Sequence, residues 1–121
     1  MKKLLTGLIA IVATVLSSGT ANATESPAPT VISNIWVSDA GNYHFRVTGS
    51  YTGSTWFCNN ASSSGPGAWA YLEENDSGAK GKMAMLMTAF MAGKTVYFKT
   101  EGRDTPAGHL CHIVEFQVMN Y

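Results

Sequence analysis

The sequence predicts a mainly β domain, curled into a small barrel, with a single α-helix between the fourth and fifth of its strands. Three observations lead there. Apolar residues recur with a period close to two in successive runs between Val31 and Met119, the mark of half-buried strands. One segment, beginning at Ala79, has instead the 3.6-residue period of an amphipathic helix. The folding part of the chain is also short. One helix cannot cover both faces of a flat six-stranded sheet, so a sheet that closes on itself is the economical arrangement.

The length follows from the N-terminal segment. Lys2 and Lys3 precede an apolar stretch from Leu4 to Leu16, and Ala21-Asn22-Ala23 offers the small residues that signal peptidase requires. Residues 1–23 therefore read as a signal peptide, and its removal from the 121-residue chain leaves 98 residues. The apolar stretch is shorter than the roughly 20 residues of a transmembrane helix, so no membrane span is expected. Without Lys2 and Lys3 the balance of eight basic and eight acidic side chains becomes six against eight. A weakly acidic chain with no basic block is not a nucleic-acid binder. The expected destination is the periplasm or the medium.

Residues 24–30, with Pro27 and Pro29, read as a short mobile leader, and residues 31–121 as one domain. Val31 to Ser38 is the first strand, with Ile35 and Val37 on one face and Ile32 and Trp36 on the other. Asp39-Ala40-Gly41-Asn42 is a turn. Tyr43, Phe45 and Val47 then alternate with His44, Arg46 and Thr48, which predicts a hairpin with the first strand. Thr55 to Cys58 has the composition of a third strand. Asn59 to Gly67, rich in Ser and Gly, is a surface loop, and Ala68 to Glu73 is the fourth strand.

Asp76 or Ser77 can cap the helix that follows, from Ala79 to Ala92. Its apolar stripe is Met83, Leu86, Met87 and Phe90, and Gly93 is its stop. The far side carries Ala84, Met85, Thr88, Ala89 and Met91 where a solvated helix would carry charges. Val96 and Phe98 mark the fifth strand, Gly102 to Gly108 a polar turn, and His109 to Met119 the last strand.

Two cysteines, Cys58 and Cys111, in an exported chain predict one disulfide. The competing use is a metal site with His109 and His112. Alternation along an extended strand sends His112 to the face opposite Cys111 and His109, which separates those ligands. Neither a metal nor an organic cofactor is expected.

Catalysis has little to stand on. His44 alternates outward beside Arg46, and His112 falls on the apolar phase of its strand, where a hydrogen-bonded, partly buried histidine is the simpler account. Glu73 and Glu74 are adjacent and point apart, unlike a glycosidase pair, and read as charge at the helix entry. Asp39 with Asn42, and Asn75 with Asp76, lack the alternating oxygens of a calcium loop. Gly65-Pro66-Gly67 precedes a strand, where a phosphate loop would precede a helix. A non-catalytic binding or interaction module is the expectation, with an inhibitor acting through the Met-rich helix as an alternative and a small hydrolase as the minority alternative.

Aromatic side chains carry the binding hypothesis, because an indole or phenol stacks on a sugar ring and hydrogen-bonds at its polar edge. Tyr51, Trp56 and Tyr97 are the candidates for glycan contact. Met85, Thr88 and Met91 are the candidates for contact with an envelope protein or with another copy of the chain, since methionine surfaces adapt readily to partners.

Trp56-Phe57-Cys58, the helix end Leu86-Met87-Thr88-Ala89-Phe90-Met91-Ala92-Gly93, and Lys94-Thr95-Val96-Tyr97-Phe98-Lys99 together resemble the receptor-binding B subunits of bacterial AB5 toxins, the subtilase-cytotoxin type in particular. The resemblance implies an OB-type barrel whose helix lines the central pore of a pentamer, and a glycan-binding role. The chain departs from that type near the mature start and in its cysteines, so no binding residue is carried over from the family.

Overall fold

A computed structural model describes residues 23–39, 45–50, 57–62 and 69–120. Its elements are β1 (Thr24–Glu25), β2 (Thr30–Val37), β3 (Phe45–Gly49), β4 (Trp69–Leu72), α1 (Ala79–Met91), β5 (Thr95–Thr105) and β6 (Gly108–Val118). The strands pair in the order β1-β5-β2-β3-β4-β6, and β5 also pairs with β6. Five strands, β2-β3-β4-β6-β5, thus form a closed ring of hydrogen bonds, with the helix between the third and fourth of them in the chain. This ring is compatible with the small closed barrel that the sequence predicts.

Registers show which side chains enter it. Ile35 faces Val47, Val47 faces Ala70, and Phe45 lies opposite Leu72. Ala70 pairs with Cys111, Thr100 with Ile113, and Phe98 with Phe116. Val47, Ala70, Leu72, Val96, Phe98 and Ile113 are fully buried, and Leu86 and Ala89 of α1 join their cluster. Phe57 meets Phe98 edge to face at 5.3 Å between centroids, and the buried Thr100 hydroxyl donates to the Phe57 carbonyl. The Cys58–Cys111 bridge is formed, with Cα atoms 5.6 Å apart. It pins the segment around Phe57 to β6.

Several elements differ from the sequence reading. The β4–β6 pair is parallel, because β4 enters the helix at the end of the barrel from which β6 also departs. Phe57 and Cys58, expected at the end of a strand, lie in a bend, held by the bridge and the Thr100 bond instead of a ladder. Thr24 and Glu25, expected in a mobile leader, pair with Glu101 and Thr100 as β1. The Asn59 amide donates to the Glu25 carboxylate at 3.0 Å and ties that strand down further.

The helix occupies its expected place, ending one residue early, but it is turned about its axis. Ala79, Leu86 and Ala89 are buried and Met83 is partly so, while Met87 and Phe90, expected inside, are exposed. Small alanines let α1 come close to β2, the strand it packs against. Neither Asp76 nor Ser77 caps it. Gly78 is the N-cap residue, in a left-handed conformation with φ 69°, and no side chain caps the helix. Glu73 and Asp76 have other partners.

Candidate functional site

Those partners form a buried polar cluster where β4, the turn before α1, β5 and β6 meet. Tyr71 on β4 stands opposite His112 on β6, and His112 stands opposite Glu101 on β5, so the ladder itself assembles them. His112 is 5% exposed. Its Nε2 lies 2.7 Å from Asp76 Oδ2 and its Nδ1 3.2 Å from Glu101 Oε1. Asp76 Oδ2 also accepts from the Glu73 amide at 2.8 Å. Arg103 donates to Glu101 at 2.8 Å and reaches Glu73 at 3.4 Å.

Tyr71 is fully buried, its ring 5.3 Å from that of His112. Burial, reinforced by the charges of Glu73 and Asp76 against that of Arg103, pushes its hydroxyl up to about 12. Burial works against the charge of Arg103, but the hydrogen bond and charge of Glu101 outweigh it and hold the guanidinium protonated. In this cluster the carboxylates, the Arg103 guanidinium and the His112 ring nitrogens are hydrogen-bond partners of one another. Such a network ties elements together. The expectation of a hydrogen-bonded, buried His112 is met by this geometry.

His109 is placed differently. Its Nδ1 lies 2.7 Å from Asp104 Oδ1, and its ring lies so close over Gly102 that a β-carbon there would collide with it. With Glu25, Asn59, Asn60 and Gly102 it lines a cleft of about 330 Å³. Among the described residues no three or more His, Cys, Asp or Glu side chains are grouped as metal ligands.

Of the glycan candidates, Tyr51 and Trp56 lie outside the described residues. Tyr97 is half-buried, points outward from β5 opposite Gln117, and lines a cleft of about 320 Å³ with Lys99, Glu115, Phe116 and Gln117. Lys99 and Glu115 form an ion pair across it at 3.0 Å.

The helix candidates stand together on one surface. Met85 is 52% exposed and Met91 82%, with Thr88 between them and Met87 and Phe90 beside them. Thr88 spends its hydroxyl on the Ala84 carbonyl at 2.9 Å, so this polar residue presents mainly its methyl group outward. From Met83 to Ala92 the helix carries no charge. Met87 and Phe90 were missed because the period alone does not say which side of an all-apolar helix faces the barrel.

The sequence reading also passed over Trp36, Arg46 and Trp69. Trp36 and Arg46 are cross-strand neighbours on β2 and β3, and Trp69 lies on β4 one pair along. The Arg46 guanidinium carbon is 5.1 Å from the centroid of each indole. The legible signal was alternation: Trp36, Arg46, Trp69 and Tyr71 share the outward phase of paired strands.

No helix among the described residues is long and apolar enough to cross a membrane. Comparison with protein-family models, with characterised proteins and with solved structures finds no match to this chain, so the reading of its function rests on its own geometry.

Proposed function

We propose that the chain is a non-catalytic, exported interaction module that docks through the methionine-rich face of α1, and that the first occupant of this face is a second copy of the chain. The observation that carries this reading is the uncharged solvent-facing arc of α1 that holds Met85, Thr88 and Met91, flanked by the exposed Met87 and Phe90, on a helix whose other side is seated on the barrel. Large contiguous apolar surface on a small domain marks an interaction site. Ala84 and Thr88 lie among the methionines, and small residues between flexible large ones let two such helices approach closely across a twofold axis. Export is supported by the signal-like N-terminus and by the formed disulfide.

Peroxide footprinting tests the reading. Oxidation of Met85, Met87 and Met91 slows as protein concentration rises if the face is covered by a second copy. Equal oxidation rates at nanomolar and high micromolar concentration would contradict self-association. A second reading, glycan binding, is favoured by the Tyr97 cleft, whose phenol is flanked by Lys99, Glu115 and Gln117 as hydrogen-bonding groups. Loss of glycan-array signal in Tyr97→Ala is its test.

A further inference from the structure

We propose that the outer face of β2, β3 and β4 at Trp36, Arg46 and Trp69 is a binding site for a carboxylate-bearing sugar ring. This goes beyond the role of α1 and does not depend on it.

Arg46 has no carboxylate partner among the described residues. Among the described residues Arg103 is matched by Glu101 and Glu73, and Lys99 by Glu115. Arg46 has a hydroxyl, Ser38 Oγ, at 3.4 Å and two indoles, but no carboxylate. Its Nε is buried with no hydrogen-bond partner among the described residues. A guanidinium held between two rings keeps its charge and its planar fork, and a carboxylate is the group that the fork fits.

Trp36 supplies the second half of the site. Its indole has Arg46 against it and is still 48% exposed. A ring held by a cation on one side offers a fixed platform, and the C–H face of a pyranose stacks on such a platform. Ser33 and Asn34 lie exposed on the same strand, linked to the Thr48 hydroxyl at 2.9 and 3.1 Å. They place hydroxyl and amide groups beside the platform. β3 and β4 are the second and third strands of the barrel, whose outer face is where OB-type barrels take oligosaccharides and oligonucleotides. A single cation on a weakly acidic chain favours the saccharide.

The test is a tryptophan-fluorescence titration with a short oligogalacturonate, with its methyl ester, with acetate and with a single-stranded oligonucleotide. The acid form produces a saturable change, and the ester binds about tenfold or more weakly, because only the charge-assisted bond is lost. Arg46→Gln shows the same loss for the acid form, and Trp36→Ala abolishes binding of both. In the wild-type chain the Arg46 Nε–H resonance shifts with the acid and not with the ester, a readout independent of whether either variant folds. Equal affinity for acid and ester, competition by acetate as strong as by the sugar, an unmoved Arg46 resonance, or a response to the oligonucleotide alone would each overturn the proposal.

Discussion

Asp76 Oδ2 lies 2.7 Å from Nε2 of His112, so a residue in the turn before α1 is fastened to the last strand 36 positions away. The contact fixes where the helix starts. Lys82, one turn into α1, donates to the Val114 carbonyl at 3.0 Å and holds the same junction from the other side. The exposed face of α1 is therefore presented at an angle set by β6.

Truncating this pair should be costly. His112→Ala leaves Asp76 and Glu101 as neighbouring, largely buried carboxylates without the ring between them. The expected loss is about 1–3 kcal/mol, the usual cost of leaving a buried hydrogen-bonding group without its partner. Urea denaturation checks it, and a loss below about 1 kcal/mol would show that water replaces the imidazole at no cost.

Tyr71 predicts a pH dependence at the alkaline end. Its hydroxyl is pushed from 10.0 to about 12 in the folded chain. The neutral form is thus favoured by folding, and its contribution is complete below pH 10. Between about pH 10 and 12 the unfolded chain releases the proton first, so stability falls as pH rises. The size is about 2–3 kcal/mol from the two-unit shift. Comparing the thermal midpoints of wild type and Tyr71→Phe across this range isolates the effect, since the phenylalanine variant lacks that part of the decline.

The Cys58–Cys111 bridge closes a separation of 53 residues. Replacing both cysteines by alanine should cost up to about 4 kcal/mol on the chain-entropy argument. Phe57 should respond with it, since the bridge and the Thr100 hydroxyl hold its segment. Mass measurement after alkylation without reduction should find no free thiol in protein recovered from outside the cytoplasm.

The barrel was legible because Phe45 and Val47, or Val96 and Phe98, announce their inward phase within five residues. Cys58 and Cys111 were legible from compartment and count. The end of the predicted third strand and the cap were not. Phe57 has strand-like chemistry but is held by Thr100 and the bridge, and Asp76 has cap-like chemistry but is drawn away by His112; both are long-range contacts that no local window contains. The rotation of α1 was hidden for another reason. Ala79 and Ala89 carry little hydropathy, yet they are buried on the side of α1 that packs on the sheet, and Met87 and Phe90 are exposed. Trp36 and Arg46 escaped notice because each is ordinary in its own strand, and only the register makes them neighbours.

Docking through α1 is tested most directly by multi-angle light scattering of the protein at micromolar concentration, beside Met85→Lys. Met85 is half-exposed, so lysine should leave the fold intact while placing a charge in the proposed contact. The wild-type chain should elute at a multiple of its own mass, which is 12.9 kDa for the full sequence, and the variant at the mass of one chain. A wild-type protein that runs as a sharp single-chain species throughout would contradict the account.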